Sequence, residues 1–503
     1  MRVLLWHGWL LEGSGSNIFT ARLAQTLAAE GHDMLLLCQE PHPERYGWIS
    51  AHGTVGATGP RLPAGSALPG SGRCVMLRPQ IGRLLPVFVI DEYEGVEVQT
   101  FLELADEDLE RYLQANVEAL RAAAAWHGSE AVITGHAIPG ATIAARALHP
   151  NTFVAKVHGS DLEYAVQQQD RYRELAREGL TAARVVVGAS THVLERCAAL
   201  GLGIRHAEVV PPGVDVEAFR PRGRREALLE TARLLEEAPS SAPGRPASVD
   251  RDVERALQAR DAEALDRLAR TYDQQAPDLD AATRLRALAD RDRPLVAYFG
   301  KLIGPKGPEL VLTGATRSGH RPDVLVVGFG LHRERLTALE LAVRRGDEDA
   351  IAWLRETFDM HLEPSEARED QTPGSVTFTG RLDHRYAPSA IAAADVLVVP
   401  SIGAEAFGMV AAEGAAAGAL PLVARHSGLA EVAAVLESAI GRPGWFSFEP
   451  GAGDSRRVAE GIDRLLSLGG SQRAELRAAV AATAAREWSW SRTASRLLRF
   501  FEP

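Results

Sequence analysis

The chain has 503 residues, of which 46% are apolar and 24% charged; this is typical of soluble globular proteins of two or three domains. The formal net charge of −11 argues against general nucleic-acid binding. No apolar run reaches the roughly 18–20 residues of a membrane span, and nothing in the sequence requires peripheral attachment to a membrane. The three scattered cysteines indicate neither a disulfide framework nor a metal site. We therefore expect a cytoplasmic protein. The sequence does not indicate its oligomeric state.

Short apolar runs alternate with helical patterns along the first part of the chain. Runs without polar alternation, separated by helices, are typical of strands buried on both faces of a parallel sheet. The glycine- and proline-rich segment 41–73 is predicted to be irregular. The predicted strands of this first series are 3–6, 34–39, 87–90, 131–134, 153–157, 185–190 and 208–212.

A second series of strands follows a linker at 211–222 and an insertion at 223–292. The insertion is predicted to be helical because leucine, valine and alanine recur at helical spacing among charges. One continuous helical pattern is expected to place Val253, Leu257, Leu265, Leu268 and Tyr272 on one face, packed against the second domain. A shorter extension is predicted within 338–372. The predicted strands of this series are 294–300, 323–328, 376–380, 395–401 and 420–427.

Two such series predict two Rossmann-like domains. The expected organisation is a first domain at 1–212, a second at 213–485, and a final amphipathic helix at 486–503.

The distribution of lysine points to one loop. The chain has three lysines, and two of them, Lys301 and Lys306, lie in the stretch YFGKLIGPKGPEL at 298–310. This loop follows a predicted buried strand, so it lies at the carboxyl edge of the sheet, where open α/β sheets bind ligands. Since arginine carries nearly all other positive charge, two lysines here suggest a site that needs compact point charges. A diphosphate fits that description.

A pair of glutamates follows a later strand, in VVPSIGAEAFGMVAAEGAAAGALPLVA at 398–424. Glu405 lies in the loop, and a helix that begins near Gly408 carries Glu413 in its second turn. The amino end of such a helix attracts phosphate. A set of small residues is expected to permit close approach of a ligand: Ala406, Gly408, Ala411, Ala412, Gly414 and Ala415.

These motifs resemble those of the retaining GT-B glycosyltransferases of family 4, also called glycosyl transferases group 1. EAFGMVAAE resembles the E-x7-E signature of that family, GKLIGPKG is similar to its phosphate loop with Lys301 in place of the usual arginine, and VHGSDLEY resembles its histidine segment. Phe329, in VGFG, occupies a position where the family usually carries an acidic residue. The resemblance implies two Rossmann-like domains facing a central cleft. It also implies that the final helix, 486–503, crosses back to the first domain.

The resemblance also implies an activity, namely transfer of a sugar from a nucleotide-diphosphate sugar to an acceptor with retained anomeric configuration and without a metal or other cofactor. A UDP-sugar is the expected donor, and the acceptor cannot be read. The implied catalytic residues are His158, Lys301, Lys306 and Glu405. The implied donor-binding residues are Gly15, Gly300, Lys301, Lys306, Arg381, Leu382, Glu405, Ala406, Phe407, Gly408, Met409, Val410 and Glu413. The expected acceptor-binding residues are Ser14, Gly15, Ser16, His136 and His158.

Each role follows from the charge that develops during the reaction. Lys301, Lys306 and the helix start are expected to stabilise the departing diphosphate, Glu405 to hold sugar hydroxyls, and Glu413 to hold the ribose. Closure of the two domains would bring His158 over the sugar. Lys156, on the strand before His158, either supports the site or reaches solvent.

Several alternatives remain open at this stage. The glycines at 13 and 15 could belong to a dinucleotide fingerprint, but Ile18 replaces its last glycine and the preceding loop is too long, so an NAD oxidoreductase is disfavoured. Another GT-B nucleotide-sugar enzyme, such as an epimerase, and a catalytically silent scaffold acting as an interaction protein remain as alternatives. A phosphorylase is disfavoured, because it would need a cofactor-bearing lysine in the second domain and both lysines there already have a phosphate role. His136 is equally compatible with lining the acceptor cleft and with packing.

Overall fold

The computed structural model describes residues 1–89, 93–240, 242–272, 276–363 and 374–502. The predicted strand 87–90, the insertion 223–292 and the extension 338–372 each fall partly outside these residues. The described chain separates into two compact units: unit 1 comprises Met1–Gly213 and Trp488–Pro503, and unit 2 comprises Val214–Glu487.

The strands are short and mostly buried. In chain order they are β1 (Arg2–Trp6), β2 (Asp33–Leu37), β3 (Ile49–Gly56), β4 (Gly59–Arg61), β5 (Cys74–Pro79), β6 (Leu84–Val87), β7 (Glu97–Thr100), β8 (Ala131–Gly135), β9 (Phe153–Lys156), β10 (Val185–Gly188), β11 (Ala207–Val209), β12 (Leu295–Phe299), β13 (Asp323–Val327), β14 (Val376–Phe378), β15 (Val396–Val399), β16 (Leu420–Ala424) and β17 (Ser447–Phe448).

The helices connect these strands and form the insertion. They are α1 (Gly15–Ala29), α2 (Asp106–His127), α3 (Thr142–Ala147), α4 (Asp170–Ala182), α5 (Thr191–Ala199), α6 (Arg224–Glu237), α7 (Val249–Ala259), α8 (Ala262–Thr271), α9 (Ala281–Ala289), α10 (Glu309–Arg317), α11 (Arg333–Arg345), α12 (Glu348–Phe358), α13 (Ala387–Ala392), α14 (Met409–Ala416), α15 (Ser427–Ile440), α16 (Asp454–Leu466), α17 (Gly470–Trp488) and α18 (Trp490–Leu498).

Unit 1 is built on a sheet to which the described residues contribute nine strands, in the order β11-β10-β9-β8-β1-β2-β5-β3-β4. All neighbouring pairs are parallel except β3 with β4. The strand order reverses between β1 and β8, so the carboxyl ends of these two strands form a topological switch point, where such sheets bind ligands.

Two sequence predictions in unit 1 are wrong. The segment 41–73 is not irregular throughout, because Ile49–Gly56 and Gly59–Arg61 form a hairpin that extends the sheet. The strand expected at 87–90 ends at Val87 and pairs with β7 in a separate two-stranded sheet, not in the main one.

The C-terminal helix belongs to the core of unit 1. Trp490 and Leu497 of α18 lie in the same buried cluster as Phe19 and Leu23 of α1. The tryptophan packs so closely that a Cβ on Gly213 would lie 2.4 Å from its ring. The tail is not a single helix, however, because Ser489 separates α17 from α18 and caps the second helix through the Arg492 N–H. Trp488 and Trp490, which flank Ser489, are both buried and thus contribute to packing.

Unit 2 has a six-stranded parallel sheet within the described part of the chain, in the order β14-β13-β12-β15-β16-β17. This is the strand order of the doubly wound nucleotide-binding fold, with its switch point between β12 and β15. The predicted second series therefore forms one sheet, and the lysine loop and the glutamate loop follow the two strands at its switch point.

The insertion forms helices α6 to α9 and packs within unit 2. The continuous helical pattern expected across Arg260 is wrong. Arg260 has φ +52° and ends α7, and the carboxylate of Asp261 accepts from the N–H of Ala264 and begins α8. Val253 and Leu265 are buried, whereas Leu268 and Tyr272 are only half-buried. In none of the described helices is there a stretch long and apolar enough to cross a membrane.

Candidate active site

The loops at the switch point of unit 2 are joined to each other. The backbone carbonyl of Pro305 accepts hydrogen bonds from the N–H groups of Ile402 (2.9 Å) and Gly403 (2.8 Å). Gly307 has φ +58°, and a Cβ there would lie 2.7 Å from the carbonyl oxygen of Pro400, so glycine allows the two loops to approach this closely. The lysine loop and the glutamate loop therefore form one continuous surface.

Lys306 and Glu405 face each other across this surface. The ammonium of Lys306 forms an ion pair with the carboxylate of Glu405, and the Ser401 hydroxyl donates to the same carboxylate oxygen at 2.7 Å. The lysine side chain is 33% exposed and the glutamate side chain 18% exposed. Both groups are thus oriented by neighbours while part of each remains open to a ligand.

A closed ring of hydrogen bonds holds the Glu405 loop. The Glu405 N–H donates to the Ser427 hydroxyl at 2.9 Å. The oxygen of that hydroxyl lies 3.1 Å from Nδ1 of His426. Nε2 of His426 lies 2.6 Å from the carbonyl oxygen of Ser401. Because a carbonyl only accepts, Nε2 carries a proton and donates it to the Ser401 carbonyl. The Ser401 hydroxyl closes the ring at the Glu405 carboxylate.

Helix α14 begins immediately after this loop. Gly408, with φ +96°, precedes its first residue Met409, and a Cβ on Gly408 would lie 2.4 Å from the Leu429 side chain. Met409 and Val410 are half-buried, so the first N–H groups of the helix lie near the surface, where a helix start favours an anion. The side chain of Phe407 is buried.

The small residues of α14 pack against the sheet. A Cβ on Gly414 would lie 2.2 Å from the Leu397 side chain of β15, which shows that glycine lets the helix lie close to the strand. The expectation that all these small residues permit approach of a ligand is wrong for Ala411, Ala412, Gly414 and Ala415, which are buried in unit 2. Ala406 is half-buried, beside Glu405.

Lys301 belongs to a second cluster, centred on an aromatic ring. Its ammonium lies 6.0 Å from the ring centroid of Phe329, and the guanidinium of Arg381 lies 5.8 Å from the same centroid. These residues follow β12, β13 and β14, so three neighbouring loops at the carboxyl edge converge here. Gly300 makes the first turn, and its N–H donates to the Val327 carbonyl at 3.0 Å. Leu382, next to Arg381, is buried.

Glu413 lies in the second turn of α14, as predicted, and is largely buried. One of its carboxylate oxygens lies 3.3 Å from Nε2 of His384. His384 follows the Arg381 loop, so this contact connects the glutamate helix to the loop after β14.

Three histidines meet at the switch point of unit 1. His7 follows β1, His136 follows β8 and His158 follows β9. The ring centroid of His136 lies 5.9 Å from that of His7 and 4.6 Å from that of His158. His136 has φ +73°, a strained backbone for a residue other than glycine, which is held by the packing around it.

Each of these rings has a buried nitrogen with no hydrogen-bond partner among the residues that the structure describes: Nδ1 of His7, Nδ1 of His136 and Nε2 of His158. A Cβ on Gly135 would lie 3.4 Å from the His7 nitrogen and 3.8 Å from the His158 nitrogen, so two of these atoms converge on one point. Burial lowers the pKa of His7 to about 4, and burial also lowers the pKa of His136 and of His158. The cluster is therefore neutral at physiological pH.

Two further buried groups support the segment AKVHGSD. The carboxylate of Asp161 accepts from the N–H groups of Ala137 (2.5 Å) and Gly159 (2.9 Å), which joins the turn after β8 to the turn after β9. Burial raises the pKa of Asp161 to about 6, against the opposing effect of these N–H groups. Lys156 does not reach solvent: it is 1% exposed, and its ammonium donates to the Val210 carbonyl at 2.8 Å.

The start of α1 lies at the same edge of unit 1. Ser14 caps the helix by accepting from the Asn17 N–H, and Gly15 and Ser16 follow as its first residues. The side-chain oxygen of Asn17 accepts a hydrogen bond from Nε2–H of His7 at 2.9 Å, which links the helix start to the histidine cluster. Gly15 thus lies in unit 1, whereas the other donor-binding candidates lie in unit 2.

Comparison with known families identifies both units. The model described as glycosyl transferases group 1 matches residues 282–486, and the model described as glycosyltransferase family 4 matches residues 13–218. No curated protein is significantly similar to the chain in sequence.

Solved structures share the fold at low sequence identity. The sucrose-phosphate synthase of Thermosynechococcus elongatus is 18% identical, with a TM-score of 0.55 over 99% of this chain and 97% of that one. The Anabaena protein HepE, solved in complex with UDP, is 14% identical, with a TM-score of 0.55 over 99% of each chain. A glycosyltransferase of Rickettsia africae is 13% identical, with a TM-score of 0.55 over 100% of this chain and 97% of that one.

The two parallel-sheet units thus define a GT-B protein. The chain belongs to the group 1 glycosyltransferases, and it is an enzyme of that class.

Sequence reasoning missed His7, His384, His426 and Ser427. A signal existed for His7, because a histidine directly after a buried strand lies at the ligand-binding edge of a parallel sheet. His426 and Ser427 also follow a strand, β16, in ARHSG. Their role depends on a contact with a loop more than twenty residues away, which local sequence does not reveal.

Proposed function

We propose that the protein transfers a sugar from a nucleotide-diphosphate sugar, with UDP as the nucleotide, to an acceptor hydroxyl with retention of anomeric configuration and without a metal. The observation that carries this proposal is the joining of two loops at the switch point of unit 2, which places Lys306 and Glu405 beside the start of α14. The UDP bound to the Anabaena protein of the same fold supports the choice of nucleotide.

The hard step is cleavage of the bond between the anomeric carbon and the phosphate oxygen. Negative charge then grows on the departing diphosphate, and Lys306, Lys301 and the N–H groups at the start of α14 are proposed to stabilise it. Removal of one such preorganised group typically costs on the order of 3 kcal/mol, or about a hundredfold in rate. The phosphate itself is proposed to take the acceptor proton as it leaves.

The carboxylates have different proposed tasks. Glu405 is paired with Lys306 and held by Ser401, so its free oxygen positions are oriented to accept from sugar hydroxyls. Glu413, near the start of α14, is proposed to accept from the ribose hydroxyls, and it would exchange its contact with His384 for that purpose. Arg381, Leu382 and the backbone of residues 406–410 complete the proposed donor site.

Unit 1 is proposed to bind the acceptor. His136 and His158 are neutral, and each has a buried nitrogen that no group in the described part of the chain binds. This suits hydrogen bonding to an uncharged hydroxyl better than binding to an anion. Ser14, Gly15 and Ser16 lie at the exposed start of α1 and are proposed to contact the acceptor or the donor phosphates.

The first test is thermal unfolding of the wild-type protein with UDP, GDP, ADP or NAD and without added metal. A ligand that binds only the folded state raises the melting temperature. We expect UDP to give the largest rise and NAD none, and we expect Lys306→Ala and Glu413→Ala each to reduce the rise by weakening binding of the nucleotide.

The matched control is Arg456→Ala, which removes an exposed cation on α16 and should leave the response to UDP unchanged. Normal UDP binding by both site variants would show that the donor site is misplaced. A response to no nucleoside diphosphate would contradict the proposed function itself.

A further inference from the structure

The segment Ala276–Leu279, here called the insertion strap, is the last part of the helical insertion before α9. It lies directly against the loop after β14 that carries Arg381. The N–H of Asp278 donates to the Thr379 carbonyl at 2.7 Å, and the N–H of Arg381 donates to the Ala276 carbonyl at 3.0 Å. The strap and the loop are therefore paired through their backbones on both sides of Gly380.

Gly380 shows how close this contact is. It has φ +69°, and a Cβ at this position would lie 2.5 Å from the Ala276 carbonyl oxygen and 2.7 Å from the Asp278 nitrogen. Only glycine allows the backbone to turn here with the strap against it.

A second loop of the insertion holds the strap from behind. The N–H of Leu279 donates to the Arg245 carbonyl at 3.0 Å, and a Cβ on Gly244 would lie 1.8 Å from the Pro277 carbonyl oxygen. Three layers of backbone, at 244–245, 276–279 and 379–381, therefore lie in direct contact.

Buried ion pairs fix these layers to α11. The Arg245 guanidinium binds both carboxylate oxygens of Glu334 at 2.6 and 2.8 Å, and both side chains are almost fully buried. Arg333 donates to the Asp278 carboxylate at 3.0 Å, and its guanidinium lies 4.0 Å from the ring centroid of Phe378 in β14. Buried pairs of this bidentate kind impose a geometry even where they add little net stability.

The loop after β14 is at one side of the donor site. Neighbouring strands lie about 4.8 Å apart, and β14 is two strands from β12 on the side opposite to β15. It therefore lies about 10 Å from β12. The joined loops after β12 and β15 hold the proposed diphosphate site. His384, which follows Arg381 in the outlying loop, contacts Glu413, the proposed ribose ligand, so this loop is within reach of the nucleoside part of a donor.

We propose that the insertion strap positions Arg381 and Leu382 for the nucleoside of the donor, so that the insertion determines which nucleotide the enzyme prefers. This inference rests on the proposed function. The Arg381 N–H is already engaged by Ala276. A displacement of the strap would move this loop, and with it the contact of His384 with Glu413, while the contact between Lys306 and Glu405 stays in place.

Gly244→Ala tests this directly. The backbone at Gly244 is not in the left-handed region, so the added methyl acts mainly by displacing the Pro277 carbonyl. Gly223→Ala, at the start of the same insertion, is the matched control because its Cβ would meet only ordinary contacts at 3.7 Å or more. Dissociation constants for UDP, GDP, ADP and inorganic pyrophosphate would be measured calorimetrically for both variants and the wild type.

We expect Gly244→Ala to weaken UDP binding about tenfold and to change the ratio of UDP to GDP affinity, with pyrophosphate affinity within twofold of the wild type. Gly223→Ala should change none of these. Unchanged UDP affinity, or an equal loss for UDP and pyrophosphate, would overturn the inference. If Gly244→Ala fails to fold, Asp278→Asn replaces it, because this change keeps the shape of the side chain and removes its charge. The same dissociation constants would be measured for Asp278→Asn, and the same results would support or overturn the inference. Absence of wild-type binding to every nucleotide would instead overturn the proposed function, and the inference with it.

Discussion

Lys156 is a basic residue in an apolar environment. Its ammonium has one hydrogen bond, to Val210, and lies 5.2 Å from the ring centroid of Phe19. Burial lowers the pKa of Lys156 to about 7, whereas a lysine in an unfolded chain has a pKa of about 10.4. Between these values the unfolded chain binds a proton that the folded protein has lost, so this residue makes the free energy of unfolding rise with pH.

Lys156→Met should remove that dependence. The quantity to compare is the free energy of unfolding of the variant minus that of the wild type. We expect this difference to have its highest value at pH 7 and below, and to fall by up to about 1.4 kcal/mol per pH unit as the pH rises towards 10. Loss of the hydrogen bond to Val210 adds a cost that does not vary with pH. Denaturant unfolding of both proteins at pH 6, 7, 8 and 9 measures the difference, and a difference independent of pH would contradict the assignment.

Ser427 has a side chain where the backbone favours glycine. Its φ is +50°, which costs about 1 kcal/mol for a residue other than glycine or asparagine. In the closed ring of hydrogen bonds that the described residues form, the Ser427 hydroxyl is the only direct connection between the Glu405 N–H and His426. The strain at this position is therefore coupled to the orientation of the Glu405 loop.

At the scale of the element, Ser427→Gly should separate stability from activity. Glycine relieves the backbone strain, so the melting temperature should stay the same or rise, while loss of the hydroxyl frees the loop. A hydrogen bond contributes about 0.5–1.5 kcal/mol, so we expect kcat/KM to fall up to about tenfold. Asn151→Gly, at another position with positive φ (+61°) in unit 1, is the control and should leave kcat/KM unchanged. Equal activity of Ser427→Gly and the wild type would show that the ring does not position Glu405.

Elements with a strong local pattern were predictable, and those that depend on distant contacts were not. β12, β13 and β15 are continuous apolar runs that stay buried on both faces, so their pattern specifies them. β3 is half-exposed near the edge of its sheet, and its sequence, ISAHGTVG, contains two glycines. It is a strand because β5 and β4 pair with it, which a local pattern cannot show.

The same distinction applies to the site. The glutamates and lysines stood out by spacing and scarcity, and the structure places them at one edge of unit 2. The sequence did not show which side chains meet: Lys301 lies near the ring of Phe329, which Arg381 also approaches, whereas Lys306 pairs with Glu405. Phe329 occupies a position where the family usually carries an acidic residue. The structure shows that Lys301 and Arg381 both approach its ring, a contact that the sequence alone did not reveal.

At the scale of the whole molecule, the three lysines differ sharply in accessibility. Lys301 is exposed and Lys306 half-buried, whereas Lys156 is closed to solvent. The chain has 55 basic residues of the arginine and lysine types, and only these three are lysine. Lysine side chains at its surface are therefore confined to the proposed diphosphate site.

Reductive methylation of lysine would consequently label this enzyme almost only at the proposed diphosphate site. We expect formaldehyde and borohydride to modify Lys301 and Lys306 in the free protein and to spare Lys156. UDP should slow modification of the first two, as read from the masses of their peptides. Equal labelling with and without a nucleotide that binds would place the diphosphate elsewhere. The extent of methylation of Lys301 and Lys306 would thus report the occupancy of the donor site, in a mixture and without a substrate assay.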